Sequence, residues 1–239
     1  RSLSGVGRCG RSRRPPARPY GARVNPERFA RIRRALERRQ PDLTLLMDGV
    51  HKSHNFSAVL RSCDATGVLD VHVVPPRSGV AVHHTSSAGS KKWVRVHRHR
   101  SVGDAVTRLE EECFTVVAAH PAPDSVDFRT IDFTVPTAIM LGAELDGISP
   151  EGLSRAHRRM VIPMTGMVHS LNVSVAAAVI LFEAMRQREA AGLYDASRLS
   201  REAFDRTLFE WAYPTIAAAR RADGRPYPAL TRTGEIVRD

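Results

Sequence analysis

"IPMTGMVHSLNVSVAAAVILFEAM", residues 162–185, runs from a short apolar stretch through a glycine and a polar cluster into a segment where, from Val173 to Met185, only Ser174 and Glu183 are polar. A helix that is apolar nearly all round belongs in a core or an interface. A helix from Ser170 to Glu189 then carries more apolar surface than one sheet face covers, so a homodimer is expected to hide the rest. On that reading an Asp at Ala177 or Ile180 would break the pair. The start of the helix is of another kind, because His169, Ser170, Asn172 and Ser174 crowd it. Capping by Ser170 explains one of these residues and leaves Asn172 inside the first turn unexplained.

Upstream of this stretch the chain alternates. Short, partly β-branched apolar runs at 43–48, 71–75, 114–120, 137–144 and 160–164 read as buried parallel strands, with helical patterns at 54–66, 101–112 and 150–158 between them. That alternation gives an α/β fold, a doubly wound and mostly parallel sheet. Ligands of such sheets bind beyond the carboxyl ends of the strands, so the loops there are the places to search.

The 239 residues suffice for one well-filled domain with extensions. No apolar run reaches the length of a membrane span, so no membrane association is expected. Cys9, Cys63 and Cys113 are odd in number and widely spaced, which fits neither a disulfide framework nor a zinc site; a reducing compartment, the cytoplasm, is the expectation. Residues 1–40 hold 13 of the 36 Lys and Arg but only Glu27 and Glu37 of the 25 acids, so the whole net charge of +11 lies there and the remainder is balanced. Such an arm suits a phosphate-backbone ligand, and a solvated tail has the same composition.

Within the arm, residues 1–24 lack periodicity and read as disordered. A short basic helix follows in 25–42, with Asn25 as cap, Pro26 at the first position, and Phe29, Ile32 and Leu36 on one side. Arg28, Arg31, Arg33, Arg34, Arg38 and Arg39 occupy most of its circumference, and Pro41 ends it. The alternating domain spans 43–192, and 193–239 forms a C-terminal helical extension and tail.

Two loops join the opening stretch as candidates. In "HKSHNFSAVLRSCDATG" (51–67), Asn55, Ala58, Arg61 and Ser62 fall near one helical face, where an Arg could grip a phosphate bidentately or simply face water. In "LGAELDGIS" (141–149), Gly142 and Gly147 flank Glu144; close approach of a ligand and a plain turn both use glycines this way. Dinucleotide, P-loop and nucleophile-elbow patterns are absent, and the adjacent His83-His84 pair lacks metal-ligand spacing, so no metal is expected.

Taken together and in this order, Asn55 with Arg61, "GAELDGIS" and "IPMTGMVHSLNVSVA" resemble the three motifs of the SPOUT class of knotted RNA methyltransferases. "RRQPDLT", "VHKSHNFSAVLRSCDATGV", "VDFRTIDFT" and "MVHSLNVSVAAAVILFEAMRQR" bring the resemblance closer, to the TrmH-type tRNA guanosine-18 ribose 2′-O-methyltransferases over roughly residues 25–195, and "YPTIAAARRADGRPYP" with "GEIVRD" is similar to the extension of their enterobacterial form. Ser53 stands where that family usually has Pro, and His169 where it usually has Gln.

The resemblance implies a C-terminal deep trefoil knot whose loops bind S-adenosylmethionine, and a dimer formed through the helix that follows Ser170. It implies that Ala119, Leu141, Gly142, Ile162 and Leu171 line the cofactor pocket, with Ser170, Asn172 and Glu144 near the methyl donor. Arg61 is then expected to act on the ribose 2′-hydroxyl, as general base or, given how firmly a guanidinium keeps its proton, as a phosphate clamp that orients the hydroxyl. Asn55 is expected to fix Arg61 or the nucleotide, and Arg28, Arg31, Arg33 and Arg34 to bind RNA alongside Arg61. The implied substrate is the D-loop guanosine of tRNA. Ribosomal RNA methylation by the same chemistry, or an inactive RNA-binding relative, are the alternative readings.

Overall fold

The structure, a computed structural model, describes residues 24–50, 52–76 and 92–237. The arm before Val24, Cys9 and the His83-His84 pair lie outside these residues. A seven-stranded sheet forms the centre, in the order β3-β2-β1-β6-β4-β7-β5. Its strands are β1 (Leu43–Asp48), β2 (Asp70–Val74), β3 (Arg95–Arg98), β4 (Thr115–Ala119), β5 (Val126–Asp127), β6 (Thr137–Gly142) and β7 (Arg158–Val161), and every pairing is parallel. Leu45 sits opposite Val71 on β2 and Ile139 on β6.

β1 shows why the sheet needs helices on both faces. All six of its residues are buried. Leu43, Leu45 and Met47 join a core with α2 (Ser53–Ala65) and α5 (Val173–Ala190), whereas Leu46 joins a second core with α3 (Val102–Glu111) and Ile148, just ahead of α4 (Pro150–Arg155). Period-two alternation thus feeds two cores from one strand.

A third core lies to one side. There Phe29, Ile32 and Leu36 of α1 (Pro26–Glu37) pack with Leu208, Phe209 and Trp211 of α6 (Arg201–Ala212) and Ala217 of α7 (Pro214–Ala222). The basic helix and the C-terminal extension are therefore partners in one cluster. Asn25 caps α1 as expected, accepting from the N–H of Glu27 at 2.8 Å. The helix ends at Glu37, ahead of Pro41, and Arg39 departs from the basic face: it is 2% exposed, pairs with Asp64 and stacks 5.1 Å from the Trp211 ring.

Two further expectations change. The last strand is Arg158–Val161, shifted back from 160–164, because Pro163 cannot donate to a ladder. The long helix begins at Val173, with Asn172 as its cap rather than Ser170; the Asn172 Oδ1 accepts from the Ser174 N–H at 2.8 Å. Ala177 and Ile180 are fully buried against the sheet within the protomer. An Asp at either position tests the fold and not the dimer, and the outward apolar residues of α5 are Val175 and Phe182, 47% and 51% exposed.

Candidate functional site

The carboxyl ends of β1, β6 and β7 bring the three loops together. After β6 the chain turns sharply: Ala143 and Gly147 exchange hydrogen bonds of 2.9 and 3.0 Å, and Gly147 has φ +66°. A Cβ on Gly142 would lie 2.0 Å from the Gly147 carbonyl carbon. Both glycines are thus required by the turn itself, which presents Glu144 at its start. The Asp48 carboxylate, ending β1, braces the far side by accepting from the Ser149 N–H at 2.7 Å. Sequence reasoning passed over Asp48; its only signal was a carboxylate ending an otherwise apolar strand.

Glu144, Asn55 and Asn172 form one directional chain. The Asn172 Oδ1 accepts from both the N–H and the hydroxyl of Ser174, the latter at 2.7 Å, which turns its amide Nδ2 towards Asn55. Nδ2 donates to the Asn55 Oδ1 at 3.2 Å, and the Asn55 Nδ2 donates to the Glu144 Oε1 at 2.7 Å. Each amide orientation is fixed by its neighbours, and the chain ends on a carboxylate, where a charge-assisted bond is strongest. Asn55 is 2% exposed, so leaving its amide unpaired would be costly.

Asn55 therefore ties together the loops after β6 and β7, and does not hold Arg61. The expectation that they share one helical face fails here: the two are six residues apart on a 3.6-residue helix, which sets them about 120° apart around the axis, Asn55 buried and Arg61 exposed. Arg61 is exposed, with no hydrogen bond or ion pair to the described residues. On α1, Arg28, Arg31, Arg33 and Arg34 are also exposed, and Arg33 pairs with Glu37 at 3.0 Å.

Beside the chain of amides is a cavity of about 340 Å³, lined by Ala119 after β4, by Ile162, Ser170 and Leu171 from the loop after β7, and by Ala176 and Ile180 of α5. Leu141 and Gly142 do not line it, since Leu141 is packed between β1 and β4 and Gly142 is pressed into the turn. His169, from the polar cluster ahead of α5, lines it as well, and so do His120 and Met164, which were not singled out from the sequence. No group of acids, His and Cys able to hold a metal occurs among the described residues.

The model of the SpoU rRNA methylase family matches residues 42–182, well over half the chain and all the elements of the site. The chain belongs to the SpoU methylase family. The family's C-terminal model matches residues 186–239, which includes α6 and α7. A curated relative, the tRNA (guanosine(18)-2′-O)-methyltransferase of Escherichia coli, is 48% identical over 90% of this chain and 95% of its own. The structure of the Aquifex aeolicus TrmH/SpoU tRNA modifying enzyme superposes with a TM-score of 0.73 at 41% identity, covering 80% of this chain and 97% of that one. The SpoU methyltransferase AviRb from Streptomyces viridochromogenes, solved in complex with the cofactor AdoMet, gives 0.56 at 28% identity over 64% of this chain and 62% of that one.

Proposed function

We propose that this chain is the S-adenosylmethionine-dependent enzyme that methylates the ribose 2′-hydroxyl of guanosine 18 in the D-loop of tRNA. The observation that carries the reading is the Asn172–Asn55–Glu144 chain, which joins all three motif loops beside the cavity after β7. The Escherichia coli relative, which carries this activity in its name, aligns over 90% of the chain.

The cavity fits the cofactor. Its volume is at the small-ligand end of the usual range and its walls at Ile162, Leu171, Ala176 and Ile180 are apolar. The backbone groups of residues 162–171 make no backbone hydrogen bond with the described residues and are available to a ligand's polar edge. Bound there, S-adenosylmethionine supplies an electrophilic sulfonium methyl group.

The chain's own residues do the rest. Ala119, Ile162 and Leu171 enclose the cavity, and Ser170 lies at its wall next to the capped start of α5. Asn172, Asn55 and Glu144 hold the loops after β6 and β7 in fixed relation, so the methyl donor and acceptor meet without reorganisation. Arg61, free of protein partners among the described residues, grips a phosphate of the substrate and orients the 2′-hydroxyl. Arg28, Arg31, Arg33 and Arg34 add counterion-releasing phosphate contacts along α1.

Mapping the methylated nucleotide after incubation with total tRNA tests the reading. Methyl incorporation at the 2′-oxygen of guanosine 18 is expected; incorporation into ribosomal RNA alone would replace the substrate, and none at all would leave an RNA-binding relative.

The knot and the dimer belong to the same reading. β7 lies between β4 and β5 in the outer half of the sheet, yet α5 packs against α2 and β1, so residues 162–172 carry the chain back across the sheet, as a threaded loop does. Val175 and Phe182 leave an apolar strip on the outer face of α5, which a second copy would cover. Phe182→Asp is expected to turn a dimer into a monomer in sedimentation, because burying an unpaired carboxylate costs several kcal/mol. A parent that sediments as a fully active monomer removes the dimer. No helix among the described residues is long and apolar enough to cross a membrane.

A further inference from the structure

A second concavity, of about 570 Å³, opens between the edge strand β3, the start of α2 and the helices α6 and α7. Its apolar floor is Phe56, Val94, Trp211 and Ala217, and its rim carries Lys92, Arg98 and Arg221. Arg221 is held by Glu210 at 2.7 Å, but Lys92 and Arg98 are exposed and pair with no acid among the described residues. The neighbouring Arg95 is already neutralised, bound at 2.8 and 2.6 Å to Asp70. Burial pushes the Asp70 carboxyl up, and the hydrogen bonds from His97 and Arg95 outweigh it, holding the carboxyl below its ordinary value.

Two placements connect this cleft with the reaction. Phe56 follows Asn55 directly, so the cleft begins one residue from the amide chain. Val96 packs onto the core under α2, and by strand alternation Arg98 points to the same side, at the carboxyl end of β3 where sheets of this kind bind ligands. The floor also limits what is recognised. Phe56 and Trp211 are 2% and 7% exposed, too buried to stack bases, so the cleft offers cations without a stacking platform.

We propose that the cleft between β3 and α7 is a track for the ribose-phosphate backbone of the substrate RNA, gripped by Lys92 and Arg98 on its way to Asn55 and Arg61. The proposal rests on the RNA methyltransferase reading. Because its contacts are to phosphates, the cleft should add affinity without base preference. It extends the RNA surface beyond α1 to the junction of the sheet edge with the C-terminal extension.

The test is equilibrium binding of a tRNA transcript to the full chain over a range of salt, comparing the parent with Lys92→Ala/Arg98→Ala. Loss of two phosphate contacts should weaken binding about tenfold or more at moderate salt and lower the slope of log K against log salt by about two. S-adenosylmethionine binding and the melting temperature should match the parent, since both side chains are exposed. Lys92→Arg/Arg98→Lys, which conserves the charge, should retain most of the affinity. Arg155→Ala/Arg158→Ala removes the same charge from α4 and β7 as a control. Parental affinity and slope in the cleft variant overturn the proposal, and so does an equal loss in the control, which would make the effect one of net charge. A parent that binds tRNA but does not methylate it would instead defeat the functional reading and leave the cleft measurement intact.

Discussion

Arg61→Ala is expected to lower single-turnover methylation of tRNA by on the order of 10²–10³-fold at saturating S-adenosylmethionine, the scale seen when one electrostatic or orienting group is removed from a reacting centre. Cofactor binding should be unchanged, because Arg61 is exposed on α2 and does not line the cavity. Its lack of protein partners among the described residues is central to this prediction: no hydrogen bond or ion pair to those residues is lost when it is cut back, so the loss reports on substrate. Arg61→Lys keeps the charge and loses the bidentate fork, so it should retain part of the activity. A pH series separates the two chemical roles. For a clamp, parent and lysine variant respond alike to pH; for a general base, the lysine rate climbs as its ammonium gives up its proton. Loss of cofactor affinity in the alanine variant would move Arg61 to the cavity and sink both roles.

The legible parts of the fold are those with two-sided burial. β1, β2, β4 and β6 carry apolar residues to both cores and stand out as runs, and α2 and α3 show one-sided periodicity. β3 was missed because it is an edge strand: "RVHR" has two half-buried and two exposed residues and no apolar run. β5 has only two residues, too few for any period to register. At the site, residue identities were readable from the motifs but connections were not. Asn55 and Arg61 share a helix and a motif, yet one closes an internal hydrogen-bond chain and the other faces solvent. The same gap separates Leu141 from Ile162: both belong to apolar stretches, but Leu141 lies within β6 and is 2% exposed, whereas Ile162 follows β7, where the chain leaves the sheet to wall the cavity. Likewise α5 looks apolar on every side, and only the packing shows that Ala177 and Ile180 face the core while Val175 and Phe182 do not.

Replacing Arg188 with Met should be the most destabilising change that leaves every site residue in place. Arg188 lies near the end of α5, is 0% exposed and has all five of its donors satisfied. Nε donates to the Phe133 carbonyl at 2.7 Å, one terminal nitrogen to Gln40 at 3.0 Å and Asp42 at 2.7 Å, and the other to the Asp42 and Val135 carbonyls at 3.1 and 3.2 Å. The side chain thus bolts α5 to the residues that lead into β1 and β6. Methionine fills much of the volume but donates nothing, so the Gln40 side-chain oxygen and the Phe133 carbonyl lose their partner, the Asp42 and Val135 carbonyls each keep one donor from Thr137, at 3.0 and 2.9 Å, and among the described residues the Asp42 carboxylate keeps Arg198 alone, at 2.5 Å. Breaking a buried ion pair from one side costs about 3–5 kcal/mol, which for a chain of this size lowers the melting temperature by about 10 °C or more. Because the pair is shielded from solvent, added salt should not remove the difference between variant and parent. A melting temperature within about 2 °C of the parent would mean that water reaches these groups and that Arg188 is not the bolt. If the expected loss is seen, activity measured well below the variant's melting temperature should approach the parental rate, since Arg188 touches neither the cavity nor the Asn172–Asn55–Glu144 chain.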